Sequence, residues 1–143
     1  MRKLLKPYKD INRIIDANIN RTKEGLRVCE EIARFVISSR KLTLELKQVR
    51  HQLTETSKIL VERKALLLGR EALRDVGKGI KADELKRSNI GDIFFANVQR
   101  VKESLRVLEE FSKLINLSAS VRFKALRYKV YQIEKDFPST KLK

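Results

Sequence analysis

An internal repeat is the feature of this sequence that most limits what the chain can fold into. Residues 16–36 (DANINRTKEGLRVCEEIARFV) and residues 95–115 (FANVQRVKESLRVLEEFSKLI) are identical at ten of twenty-one positions, with a constant spacing of 79 residues. Further along, LKQVRHQL at 46–53 matches LRYKVYQI at 126–133 when one residue is inserted. A segment that recurs in this way usually forms the same supersecondary structure each time. The sequence therefore predicts one structural unit in two copies.

Apolar residues recur at intervals of three and four along both copies, which is the spacing of amphipathic helices. The spacing predicts helices over about 11–37 and 42–63, a third from an N-cap at Ser88 to about residue 115, and a fourth that Pro138 ends. The predicted core positions are Ile11, Ile14, Cys29, Ile32 and Val36 in the first helix, Leu42, Leu46, Val49, Leu53 and Leu60 in the second, and Phe123, Leu126, Val130, Ile133 and Phe137 in the last. We therefore predict an all-α fold, an antiparallel helical bundle built from a duplicated helical hairpin.

The length of 143 residues is that of one domain. We predict a single helical domain over 1–143, with repeat halves at about 11–63 and 90–137 and a Gly-containing connecting segment at about 66–90. This segment has no counterpart in the second half. A long link inside a compact helical domain is usually functional or disordered, so we expect part of the chemistry there.

The composition excludes several classes of protein. The formal net charge of +15 attracts polyanions, which include nucleic acid, acidic membranes and phosphorylated metabolites. One cysteine and one histidine exclude a disulfide framework and an ordinary Cys/His zinc site. No stretch has the apolar length of a membrane span, and the N-terminus lacks the apolar region of a signal peptide. We therefore expect a cytoplasmic protein with no membrane partner.

Polar side chains share the predicted apolar face of the two repeated helices. These residues are Asn18, Arg21 and Gly25 in the first copy and Asn97, Arg100 and Ser104 in the second. A charge that is removed from water without a partner costs several kcal/mol, so each arginine needs an anion. One interpretation is that two asparagines and two arginines converge around an internal phosphate pocket, because arginine binds phosphate well. The other is a structural layer in which the arginines pair with Glu24, Glu31, Glu103 or Glu110 and the small residues allow tight helix packing.

The connecting segment adds further phosphate-binding chemistry. Arg70, Arg74 and Lys78 supply positive charges. Asp75 supplies a carboxylate for Mg²⁺, and the backbone N–H groups at Gly77 are available to bind phosphate oxygens. The spacing is not that of a P-loop. A solvated turn is the alternative interpretation of this segment.

Three strings together resemble a known family: DANINRTKEGLRVCEE at 16–31, DVG at 75–77 and ANVQRVKESLRVLEE at 96–110. They resemble the small helical domain that occurs alone, or fused ahead of thiamine-phosphate synthase (thiamine-phosphate pyrophosphorylase), in some bacteria. The resemblance covers about residues 10–137 and is to the standalone form. It implies a kinase that phosphorylates 4-amino-5-hydroxymethyl-2-methylpyrimidine phosphate, and not the free alcohol, to the diphosphate used in thiamine biosynthesis.

With this resemblance we expect an ATP-dependent, Mg²⁺-requiring phosphotransferase. Its acceptor is a phosphate oxygen that is already ionised, so a strong general base is dispensable and positioning dominates. The expected catalytic residues are Arg21, Arg100 and Asp75, the expected phosphate- or substrate-binding residues are Asn18, Asn97, Arg70, Arg74, Lys78, Gly25 and Gly77, and the expected Mg²⁺ ligands are Asp75, Glu24 and Glu103. The expected partners are the phosphorylated pyrimidine, a nucleotide and thiamine-phosphate synthase, and apolar stripes on the bundle favour a homodimer.

Two other functions remain open at this point. The chain could be a non-catalytic helical module that docks on thiamine-phosphate synthase. It could also be a basic nucleic-acid-binding bundle, whose affinity would fall steeply with salt. Against the second, no arginine-rich helix with interleaved aromatic residues is present.

Overall fold

The computed structural model describes the backbone of residues 2–60, 63–79, 85–138 and 142. Within these residues the chain forms five α-helices and no strand, which confirms the predicted all-α class. The helices are α1 (Arg2–Ile32), α2 (Arg40–Lys58), α3 (Arg63–Gly69), α4 (Ile90–Ser112) and α5 (Leu117–Asp136). A π-helical turn, Ala33–Ile37, follows α1, and a 3-10 turn, Ala72–Arg74, follows α3. None of the described helices has both the length and the apolar character needed to cross a membrane.

Four of the helices form an antiparallel bundle in which α1 packs against α2 and α4, and α5 packs against α4 and α2. Thr22 and Ser104 meet through their hydroxyl oxygens at 2.6 Å where α1 crosses α4. A Cβ atom at Gly25 would lie 2.7 Å from Cγ2 of Val101 and 3.0 Å from the carbonyl oxygen of Asn97. Only glycine therefore allows the two backbones to approach this closely, which agrees with the packing interpretation of Gly25.

The predicted core positions of α2 and α5 are all buried, and so is Cys29. The prediction for the outer positions of α1 was wrong. Ile11 and Ile14 are only half-buried and Val36 is exposed. The buried stripe instead centres on Ile15, Ile19, Leu26 and Ala33, which is rotated by roughly 60° about the helix axis.

This rotation changes the environment of the two repeated arginines. Arg21 and Arg100 lie at the edge of the buried stripe and are exposed, so the expectation that they are buried charges was wrong. Arg21 donates from Nη1 to Oδ1 of Asn18 at 3.3 Å. Neither arginine pairs with a carboxylate of the described residues, so the alternative of a buried Arg–Glu layer at these positions was also wrong.

Several helix ends differ from the sequence prediction, and at the start of α4 the N-cap was misassigned. Asn89, and not Ser88, is the N-cap of α4, since its Oδ1 accepts from the backbone N–H of Asp92 at 2.8 Å. The backbone N–H of Ser88 donates to Oδ2 of Asp92, which completes a reciprocal cap. Helix α1 begins at Arg2, before the predicted start at about residue 11, and α2 ends at Lys58, before the predicted end at about residue 63.

Matched residues of the two hairpins are 79 positions apart in the first helices but 77 apart in the second helices. The N-caps of α2 and α5, Ser39 and Asn116, are 77 residues apart, as are Arg50 and Arg127, which bind the repeated glutamates described below. The predicted insertion of one residue in the second half was therefore wrong. The first hairpin instead has two more residues, and its link contains the π-helical turn and a left-handed Ser38 with φ 58°.

Candidate functional site

The connecting segment folds back onto the N-terminal half of α1. Arg70 forms a bidentate ion pair with the buried carboxylate of Asp16, with Nε–Oδ2 and Nη2–Oδ1 distances of 2.7 Å each. Glu71 lies 3.5 Å from Nζ of Lys9 and 3.8 Å from Nη1 of Arg13. These contacts hold the start of the connecting segment, Arg70 and Glu71, beside α1.

The Asp16 carboxylate fixes the orientation of the Arg70 guanidinium. Hydrogen bonding and the opposite charge of Asp16 raise the pKa of Arg70 above its ordinary value, so the guanidinium stays charged. Its third nitrogen, Nη1, makes no hydrogen bond to the described residues. A planar guanidinium that is held on one edge and free on the other is well arranged to bind a phosphate oxygen.

A cleft of about 650 Å³ lies between residues 10–24 of α1 and residues 70–75 of the connecting segment. We call it the large cleft. Its cationic groups are the guanidinium groups of Arg13, Arg21 and Arg70. Its carboxylates are those of Asp10, Asp16, Glu24, Glu71 and Asp75. The volume is within the range of small-molecule sites.

A second cleft of about 390 Å³, the small cleft, lies on the other side of the Asp16–Arg70 pair, between α1, α2 and α3. Asp16, Asn20 and Arg70 line both clefts. The rest of the small cleft combines apolar side chains with hydroxyl and ammonium groups, namely Ile19, Leu66, Leu67, Thr54, Ser57, Lys23 and Lys58.

Five of the sequence-predicted site residues come together in the large cleft: Asn18, Arg21, Glu24, Arg70 and Asp75. The structure places the others outside its lining: Asn97, Arg100, Glu103, Arg74, Lys78, Gly25 and Gly77. Asn18 and Asn97 make the same local hydrogen bond, each donating from Nδ2 to the carbonyl oxygen four residues earlier at 2.8 Å. Their identity in the two copies thus has a structural basis that is independent of a ligand.

The expectation of one internal pocket shared by both copies was wrong, because α1 and α4 are antiparallel. Thr22 lies opposite Ser104 and Gly25 opposite Val101. In this register Asn97 is level with residue 29 of α1, which is about 16 Å along the helix from Asn18 at 1.5 Å per residue. The two asparagines therefore cannot hold the same small group.

The predicted Mg²⁺ ligands do not form a ready-made metal site. Within the described residues no three Asp, Glu, His or Cys side chains are close enough together to hold a metal ion. Glu24 and Asp75 do line the large cleft, and Oδ1 of Asp75 accepts the backbone N–H of Gly77 at 2.8 Å. Because Mg²⁺ is commonly held by one or two carboxylates together with substrate phosphates, this donor set fits a metal–nucleotide complex.

Three acidic residues that matter to the structure were missed by the sequence interpretation. Glu30 and Glu109 are buried, and they accept hydrogen bonds from Arg50 and Arg127 of the following helices. Their identity in both copies was a signal that could have identified them as structural. Asp16 was the other omission. It could have been found because it differs between the copies, since the matching residue of the second copy is Phe95.

The fold and the clefts define the chain as a duplicated-hairpin helical protein with two clefts lined by charged side chains beside its first hairpin. Comparison with known sequences gives its family: the chain matches the ThiD2 family over residues 13–136 and belongs to it. No solved structure matches the chain.

Similar proteins include three named thiamine-phosphate synthase. The protein of Synechocystis sp. is 40% identical over 133 residues, which are 92% of this chain and 37% of that protein. Those of Gloeobacter violaceus (39% over 123 residues) and Nostoc punctiforme (38% over 125 residues) match 85% and 87% of this chain and 35% and 34% of their own lengths. The chain thus spans about a third of the length of these relatives.

Proposed function

We propose that this chain is a kinase of thiamine biosynthesis that transfers the γ-phosphoryl group of ATP to 4-amino-5-hydroxymethyl-2-methylpyrimidine phosphate. The observation that carries the proposal is the large cleft, in which Arg13, Arg21 and Arg70 lie together with the carboxylates of Glu24 and Asp75. Guanidinium groups beside carboxylates are the groups that phosphoryl transfer needs for positioning and charge neutralisation. Family membership and the names of the relatives support the thiamine pathway.

In the reaction, a phosphate oxygen of the acceptor bonds to the γ-phosphorus as the bond from that phosphorus to its bridging oxygen breaks. ADP leaves and the pyrimidine diphosphate remains. The attacking oxygen is already ionised at neutral pH, so no residue has to remove a proton. The only histidine, His51, is exposed on α2 and lines neither cleft, which agrees with a reaction that needs no general base.

The residues of the large cleft take the following roles in this proposal. Arg21 binds the phosphates of the nucleotide, and Asn18 orients Arg21 by accepting its Nη1–H. Glu24 and Asp75 would hold Mg²⁺, which neutralises charge on the phosphate oxygens. Arg74 and Lys78 lie in the exposed turn next to Asp75, where they would close over the polyphosphate.

A non-catalytic role is the second candidate. The similar proteins are about three times as long as the matched region, which favours a domain that works beside a thiamine-phosphate synthase. In this case the chain would dock on the synthase and not turn over nucleotide.

The test is ADP release in the presence of ATP, Mg²⁺ and the pyrimidine monophosphate, with the free hydroxymethylpyrimidine as the parallel control. The kinase proposal expects turnover with the monophosphate only, and strong losses in Arg21→Ala and Asp75→Ala that fold normally by circular dichroism. Folded wild-type protein without turnover would reject the kinase and favour the docking module.

A further inference from the structure

We propose that the two substrates bind on opposite sides of the Asp16–Arg70 pair, the phosphorylated pyrimidine in the small cleft and the metal–nucleotide in the large cleft. Both sites then belong to the first hairpin and its connecting segment. The inference rests on the proposed kinase function, and it assigns the acceptor a site that the repeat symmetry of the sequence did not reveal.

The charge of the two clefts is the first argument. The described lining of the large cleft has five carboxylates and three guanidinium groups, so it is acidic and suits a nucleotide whose charge is partly neutralised by a divalent cation. Among the described residues that line the small cleft, Asp16 is the one carboxylate, against Arg70, Lys23 and Lys58. Lys58 also lies 3.1 Å from Glu55 at the surface, which leaves Lys23 and Arg70 as the main cations of the described lining. A basic cleft suits a phosphate that arrives without a metal.

The walls of the small cleft match the rest of the acceptor. Ile19 and Leu66 are buried, and with Leu67 they form an apolar surface for a methylated pyrimidine ring. The hydroxyl groups of Thr54 and Ser57 donate to the carbonyl oxygens of Arg50 and Leu53, at 3.2 and 2.7 Å. Their protons are thus engaged and their oxygens can accept, which is what the exocyclic amine of an aminopyrimidine requires.

Arg70 connects the two clefts. Its Nε and Nη2 are bound to Asp16, it lines both clefts, and its Nη1 has no hydrogen-bond partner among the described residues. In this position the guanidinium contacts the phosphoryl group as it passes from the nucleotide to the acceptor, and Asp16 keeps it there.

The second hairpin differs from the first at two residues that line the small cleft. Asp16 corresponds to Phe95. Thr54 corresponds to Tyr131 at the spacing of 77, and Tyr131 lines a separate open groove of about 430 Å³ with Lys102, Arg106 and Arg127. These differences confine the acceptor to the first half.

An exchange of the matched residues tests the assignment. Thr54→Tyr introduces the residue that the second hairpin has at this position, and it fills the small cleft from the half-buried rim of α2. Calorimetric titrations with the pyrimidine monophosphate and with ATP–Mg²⁺ should show at least about a tenfold loss of affinity for the monophosphate and less than a twofold change for the nucleotide. The reciprocal Tyr131→Thr should change neither. Unchanged monophosphate binding, or a loss of nucleotide binding instead, would overturn the inference.

A charge variant covers the case in which Thr54→Tyr does not fold. Lys23→Ala should weaken monophosphate binding by about tenfold, whereas Lys102→Ala at the matched position of the second copy should not, with folding of both checked by circular dichroism. Equal affinity of Lys23→Ala and wild type would also overturn the inference.

Binding and turnover separate the two proposals. Wild-type protein that binds the monophosphate in the small cleft without releasing ADP would reject the kinase and keep the cleft assignment. Turnover that is insensitive to the small-cleft variants would support the kinase and reject the cleft assignment. A wild type that neither binds the monophosphate nor releases ADP would reject both proposals.

Discussion

The first and second hairpins use the same buried ion pair, Glu30–Arg50 in one and Glu109–Arg127 in the other, and the first also has the start of the connecting segment beside it. That segment creates the clefts, through the pairing of Arg70 with Asp16. The comparison shows that identity between the copies mainly reports the scaffold. Residues that differ, such as Asp16, line the clefts in which we propose that the ligands bind.

The sharpest test of this comparison is to substitute Arg21 and Arg100, which occupy matched positions of the repeat but differ in that only Arg21 lines the large cleft. Arg21→Ala should lower kcat/KM roughly 1000-fold, because the large cleft loses the guanidinium that we propose binds phosphate. Arg100→Ala should lower it less than threefold, since Arg100 lies outside that lining. Steady-state kinetics of the two variants at saturating Mg²⁺ measures both values. Equal losses would show that both copies contribute to the site.

The ion pairs should matter to stability in both halves, and more in the second. The Arg127 side chain is 12% exposed and the Arg50 side chain 27%, so the ion pair of the second hairpin is the more deeply buried of the two. We expect the free energy of unfolding to fall by about 3 kcal/mol for Arg127→Ala and about 2 kcal/mol for Arg50→Ala. Urea denaturation measures both, and a loss below about 0.5 kcal/mol in either half would contradict a shared scaffold.

An exchange at the crossing of α1 and α4 should be asymmetric. Gly25→Ser introduces a Cβ that would lie 2.7 Å from Val101, so we expect a destabilisation of about 2 kcal/mol from overpacking. Ser104→Gly removes the hydrogen bond to Thr22 and should cost about 1 kcal/mol. Thermal unfolding of the two variants would decide whether the copies are interchangeable here.

The smallest expected effect concerns Cys29, whose counterpart is Leu108. Burial, with a contribution from Glu134, raises the pKa of the Cys29 thiol from 9.0 to about 12. The unfolded chain therefore loses this proton at lower pH than the folded chain, and the thiol contribution to stability is lost as pH rises from 9 to 12. Cys29→Leu should remove this part of the pH dependence. Denaturation of both proteins at pH 8 and pH 10 compares them, and an identical pH dependence would contradict the raised pKa.

Apolar spacing predicted the second helix of each hairpin well because those faces are purely apolar at their buried positions, from Leu42 to Leu53 and from Phe123 to Ile133. It failed for α1, which packs against three other helices and buries polar side chains such as Thr22 and Glu30. Buried polar residues shift the apparent phase of the apolar face. Arg21 was therefore placed inside the bundle when it lies at the mouth of a cleft.

The site could be predicted in part, since the asparagine, arginine and glutamate of the first repeat do line the large cleft with Arg70 and Asp75. The key contact could not be predicted, because Asp16 and Arg70 are 54 residues apart and no local spacing rule connects them. The small cleft was missed for the same reason. It needs α1, α2 and α3 to be packed before its walls exist.

The crossing of α1 and α4 has a symmetry of its own. Position 22 of the first copy meets Ser104, which is position 25 of the second, and Gly25 meets Val101, which is position 22 of the second. Contacts that exchange in this way define an isologous interface around a two-fold axis. The chain is thus a dimer of hairpins within one polypeptide. In a true homodimer any substitution appears twice, whereas covalent joining allows one copy to gain a ligand site while the other preserves the scaffold.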